Sequence, residues 1–108
     1  MKSTSDVMLR AKDLQEAKNY YNGVLGFPIT SESERVIGFD TGSFILYFEP
    51  GEENGSVFEF EVDDLEEAKR NLIEQGCALV EEDPDLPRCY LRDPFGLIFN
   101  LTKSYGGR

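Results

Sequence analysis

The chain contains no histidine and no tryptophan. The first absence removes the commonest general base and the commonest metal ligand together. Cysteine occurs only at Cys77 and Cys89, too few for a disulfide framework. No apolar run approaches the ~20 residues of a membrane span. The start, Met1 to Asp6, has no apolar signal core. Positive charge is scarce: 11 Lys and Arg stand against 21 Asp and Glu, a formal net charge of −10. That balance repels nucleic-acid phosphates and anionic membrane surfaces. It suits a cationic or neutral ligand, or serves solubility alone. The expectation is a cytoplasmic, reducing setting, with no nucleic-acid or membrane partner.

The 108 residues fit a single domain, residues 1–108, and the 40% hydrophobic share is enough for a core. The sequence repeats itself. Asp13-Leu14-Gln15-Glu16-Ala17-Lys18 returns as Asp64-Leu65-Glu66-Glu67-Ala68-Lys69. Each copy follows a run of period two and opens a run of helical spacing. Asp13 and Asp64 stand where N-caps belong, with Glu16 and Glu67 three residues on.

The order of elements is the same in both halves. In the first, a strand over Asp6 to Ala11 leads into one amphipathic helix of about three turns, from Leu14 to Leu25. Short strands follow over 27–30, 34–39 and 43–49. The breaker-rich stretch Pro50 to Gly55 separates the halves. In the second, a strand over Val57 to Val62 leads into a helix ending at Gly76. Strands follow over 77–81, 88–92 and 97–102, and residues 103–108 read as a frayed tail.

These patterns predict an α+β fold of two tandem βαβββ modules, 5–50 and 56–103, joined by a linker at 51–55. The modules form a curved mixed sheet around a ligand trough, with the helices outside. The faces Val7/Leu9/Ala11 and Phe58/Phe60/Val62 pack on the helices. The opposite faces, Asp6/Met8/Arg10 and Val57/Glu59/Glu61, line the trough. Glu59 and Glu61 are either an acid–base pair and a wall for a basic ligand, or a solvated strand face. Cys89 has no histidine to make it a thiolate, so it reads as core rather than nucleophile.

Three features together resemble a known group: the paired βαβββ units, the run Asp13 to Phe27, and Arg92-Asp93-Pro94-Phe95-Gly96-Leu97-Ile98-Phe99-Asn100-Leu101. That group is the vicinal-oxygen-chelate superfamily of glyoxalase I, bleomycin-resistance proteins, fosfomycin-resistance enzymes and extradiol dioxygenases. In its enzymes a divalent metal is held by four His, Gln or Glu residues. Carried onto this chain, those places fall on Asp6, Leu46, Val57 and Asn100. The resemblance therefore implies a member without the usual ligands, because Zn, Ni or Fe wants three or four N, O or S donors.

Placing Leu46 in the trough brings Phe44 and Phe48 with it, an aromatic wall for a flat ligand. Tyr90 and Arg92 are assigned to the same surface. The expected function is metal-independent binding of an aromatic or cationic small molecule, as in bleomycin resistance. No cofactor and no catalytic residue is assigned, and a homodimer is expected. A metal-dependent glyoxalase-like lyase, transferase or dioxygenase with unrecognised ligands is the alternative. A protein-interaction module that keeps only the fold is a third.

Overall fold

A computed structural model describes residues 1–53 and 55–104. The linker residue Asn54 and the last four residues of the expected tail lie outside the described residues. The protein is α+β, and each half builds the order strand, helix, three strands. The first half comprises β1 (Lys2–Ala11), α1 (Leu14–Lys18), β2 (Ile29–Glu32), β3 (Ile37–Asp40) and β4 (Ile45–Pro50). The second comprises β5 (Val57–Val62), α2 (Leu65–Glu74), β6 (Ala78–Asp83), β7 (Arg88–Arg92) and β8 (Ile98–Lys103).

Two compact units result, one of Ser5–Ser56 and one of Val57 onward that also takes in Met1–Thr4. In the first unit the strands run β2-β3-β4-β1, antiparallel except for the parallel β4–β1 pair. In the second they run β5-β8-β7-β6, with β5–β8 the parallel pair. The parallel pair is what the helix permits, since a crossover returns the chain in the same direction.

Both helices start where their caps place them. The Asp13 carboxylate accepts from Gln15 N at 2.8 Å and Glu16 N at 3.2 Å. The Asp64 carboxylate accepts from Glu67 N at 3.1 Å. Each satisfies amide donors that the first turn leaves without intrahelical partners. The second helix ends at Gly76, whose φ of +114° is open to a residue without Cβ. Lys103, expected in the tail, instead completes β8.

The first helix departs from expectation. Only five residues are α-helical, and Asn19–Val24 continue as a π-helix. The wider turn is visible in Leu25 N donating to Tyr20 O at 2.9 Å, five residues back. Asn22 and Gly23 are weak α-formers, and Asn22 Nδ2 spends itself on Phe27 O at 2.8 Å. The arrangement seats the Tyr21 ring 4.8 Å from Phe48 and 5.7 Å from Phe39.

Each unit has its own core under its helix. Ala17, Ile37, Phe39, Leu46 and Phe48 form the first, with Val7, Leu9, Ala11, Leu14, Tyr21, Phe27 and Ile29 packed against them. Val62, Cys77, Cys89, Leu91, Phe99 and Leu101 form the second, with Phe60, Leu65, Ala68 and Leu72. Burying each large aliphatic or aromatic side chain here stabilises by roughly 1.5–3 kcal/mol. Phe58, assigned to this face, stays 42% exposed at the start of β5.

Candidate functional site

In the first unit β1 and β4 pair in parallel with Val7 opposite Leu46, Leu9 opposite Phe48, and Met8 opposite Tyr47. Opposed residues point the same way, so β4 sends Leu46 and Phe48 to the helix side with Val7 and Leu9. Their placement on the ligand face is corrected by this register. Both are buried in the core, and Phe44, in the turn before β4, belongs to no wall with them. The face that Asp6, Met8 and Arg10 share is completed by Ile45, Tyr47 and Glu49. Arg10 Nε donates to Glu49 Oε1 at 3.0 Å there.

The second unit assembles the other candidates. Glu59 is opposite Asn100, and Tyr90 is opposite Asn100 on its other side. Strand alternation adds Val57, Glu61 and Arg92 to that face. Val57, Tyr90, Asn100 and Glu61 are buried, while Arg92 is exposed. The Asn100 carboxamide is used at both ends: Nδ2 donates to Glu59 Oε2 at 3.0 Å, and Oδ1 accepts from Cys89 N at 2.8 Å. Glu59 Oε1 accepts from Thr4 Oγ1 at 3.0 Å. The Arg88 guanidinium lies 5.0 Å from the centroid of the Tyr90 ring and donates to Glu81 Oε2 at 2.8 Å.

Glu61 opens onto a cavity of about 320 Å³ lined by Met1, Lys2, Val62, Asp63 and Ser104. The Lys2 ammonium stands 4.0 Å from Glu61 Oε1, with its own side chain 71% exposed. The sequence patterns do not single out Asp63 and Lys2. Asp63 follows the last residue of β5 and Lys2 precedes the expected first strand, so neither alternation pattern reached them.

The donor set does not fit the metal that the resemblance implies. Val57 offers no donor. The Asn100 oxygen is turned to a backbone amide that has to find an acceptor. Leu46 lies in a core, and the β4 residues that share the face of Asp6 are Ile45, Tyr47 and Glu49, of which Glu49 is held by Arg10. Among the described residues no three His, Cys, Asp or Glu gather as ligands.

The thiols are poor nucleophiles. Burial pushes the Cys89 thiol up from its ordinary range; Glu82 and Glu66 push the same way and Lys69 opposes them. Burial, with help from Asp93, also pushes the Cys77 thiol up. Both remain neutral at pH 7 and behave as small apolar side chains.

The architecture is shared with solved structures of low sequence identity. A glyoxalase/bleomycin resistance protein/dioxygenase superfamily member from Vibrio splendidus 12B01 is 19% identical, with a TM-score of 0.66 over 91% of this chain and 96% of that one. A hypothetical protein from Bacillus halodurans C-125 is 10% identical, with a TM-score of 0.70 over 96% and 95%. An extradiol ring-cleaving dioxygenase from Brevibacterium fuscum is 20% identical, with a TM-score of 0.68, and matches 96% of this chain but 33% of its own. These likenesses concern fold, which does not carry function with it. Comparison with curated proteins gave no match. A sequence profile described as the glyoxalase-like domain matches residues 6–102, nearly the whole length, and the chain therefore belongs to the glyoxalase-like domain family.

Proposed function

We propose that this protein binds a small cationic molecule, and does so without a metal. The observation that carries the reading is the cavity at the end of β5, where the buried Glu61 and the exposed Asp63 share a lining with Met1 and Lys2. Its size lies at the lower end of small-molecule sites. A ligand cation can take the place of the solvated Lys2 ammonium beside Glu61 and gains a less screened partner there. Glu59, two residues before Glu61 on β5, is hydrogen-bonded to Asn100. The Asn100 amide, hydrogen-bonded at both ends, and the aliphatic Val57 support the metal-independent part.

Thermal unfolding with spermidine and with proflavine, a flat cationic dye, tests this. Binding to the native state raises the midpoint in proportion to the logarithm of ligand concentration. The expected result is a rise with at least one of them that EDTA leaves unchanged and Glu61→Gln removes. No rise with either overturns the reading. Stoichiometric zinc, nickel, manganese or iron in protein purified without chelator replaces it with the metal-dependent lyase or dioxygenase reading.

A further inference from the structure

A second cavity lies on the helix side of the second unit's sheet. It measures about 410 Å³ and is walled by the start of α2, the 84–87 loop and strands β7 and β8. Its apolar lining is Leu65, Pro84, Pro87, Leu101 and the Cys89 side chain. None of the acidic-cavity residues takes part.

The charges around it are unevenly paired. Lys69 is hydrogen-bonded to Glu82 and is also drawn to Glu66, so two carboxylates converge on one ammonium. Arg88 is held by Glu81, on the other face of the strand. Lys103, the last residue of β8, contacts no carboxylate among the described residues. It stands on the Leu101 side, opposite Val62 in the β5–β8 register. An apolar chamber with a cation at its rim that is uncommitted among the described residues is the arrangement that holds an amphiphilic anion: the body displaces water from Leu65, Leu101 and the prolines, and the head meets Lys103.

We propose that this cavity is a ligand site for a small monoanionic amphiphile, a compact apolar body bearing one carboxylate. Cys89 forms part of its wall and reports occupancy, because a bound body covers the sulfur. The site is separate from the acidic cavity and asks for the opposite ligand charge.

Octanoate, octylammonium and octanol are the probes, and the full chain is used throughout. Two readouts are followed: the thermal midpoint, and the rate of Cys89 alkylation by N-ethylmaleimide in a Cys77→Ser background. Octanoate is expected to raise the midpoint and slow Cys89 alkylation at least fivefold, and octylammonium to do neither. Lys103→Glu, a change at an exposed strand end, is expected to weaken octanoate at least fivefold. Pro84→Trp, on an exposed loop, is expected to fill the cavity and abolish protection. The proposal is overturned if octanoate gives no protection, if octylammonium or octanol protects as well, or if both variants bind octanoate as the parent does. Glu61→Gln leaves octanoate binding intact on this proposal. If it removes that binding, octanoate occupies the acidic cavity and the proposal falls, whatever spermidine and proflavine do.

Discussion

Asn100 and Glu59, cross-strand partners on β8 and β5, are joined by a 3.0 Å hydrogen bond from Asn100 Nδ2 to Glu59 Oε2. Because Oδ1 of the same amide accepts from Cys89 N, the orientation of the group is set by the backbone of β7. One side chain thus ties together three neighbouring strands. Asn100→Asp keeps the acceptor and replaces the donor by a carboxylate facing Glu59. The expected loss is about 1–3 kcal/mol at pH 7, read by urea unfolding, with partial recovery as the pH falls through the carboxylate range. Equal stability of variant and parent at pH 7 would contradict the role.

Gly38 is crowded by three side chains, so that an added Cβ would force at least one of them to shift. A Cβ there would lie 2.8 Å from Thr30 Oγ1, 2.9 Å from Ser31 Oγ and 2.9 Å from Tyr47 Cε1. Gly38→Ala therefore overpacks the β2–β3–β4 sheet, and a loss of roughly 1–3 kcal/mol is expected. Pairing with Tyr47→Ala should recover a part of it, which a double-mutant cycle by chemical denaturation measures.

The repeated caps give a matched pair of tests. Asp13→Ala and Asp64→Ala should each cost about 1 kcal/mol. Asp64 starts a ten-residue helix and Asp13 a five-residue α-segment followed by a π-helix. Circular dichroism at 222 nm should therefore fall more for Asp64→Ala. A larger loss of ellipticity for Asp13→Ala would contradict the assignment of Asn19–Val24 as π-helical.

Alkaline stability follows from groups whose proton is held more tightly in the folded chain. The Cys77 and Cys89 thiols are raised above their ordinary 9.0, and Lys69 above 10.5, chiefly by its hydrogen bond to Glu82. In each case the unfolded chain releases the proton first, so the folded state binds more protons and stability falls as pH rises. The thiol contribution is complete below pH 9 and is lost above it. Urea midpoints measured at pH 7, 8, 9 and 10 should stay level and then decline, and Cys89→Ala should lessen the decline. An increase in stability above pH 9 would contradict the direction.

Much of the scaffold was legible because its signals are local. A carboxylate at the N-cap meets the amides of the turn that follows it, and Asp13 and Asp64 both do so. β5, α2 and β7 appear with the residues their patterns indicated. Alternation also separated Glu59 and Glu61 from Phe60 and Val62 on β5, but it did not foretell that Glu61 is buried and Phe58 exposed. β4 resisted this. Ile45, Leu46, Tyr47 and Phe48 are apolar on both sides, and alternation names two faces without saying which is buried. Only pairing with β1 decided it, by setting Leu46 against Val7.

The sequence by itself determined the repeated βαβββ order, the two capped helix starts, the acidic balance and the lack of a histidine ligand. All of these reside in residue identity and short-range spacing. The tertiary structure alone decided that Leu46 and Phe48 are core, that Asn100 bonds to Glu59 and Cys89, and that one cavity forms at the end of β5 and another between α2 and the second sheet. Those facts depend on which strands become neighbours. A shift of one residue in register exchanges every face, and nothing within a single strand records the register of its partner.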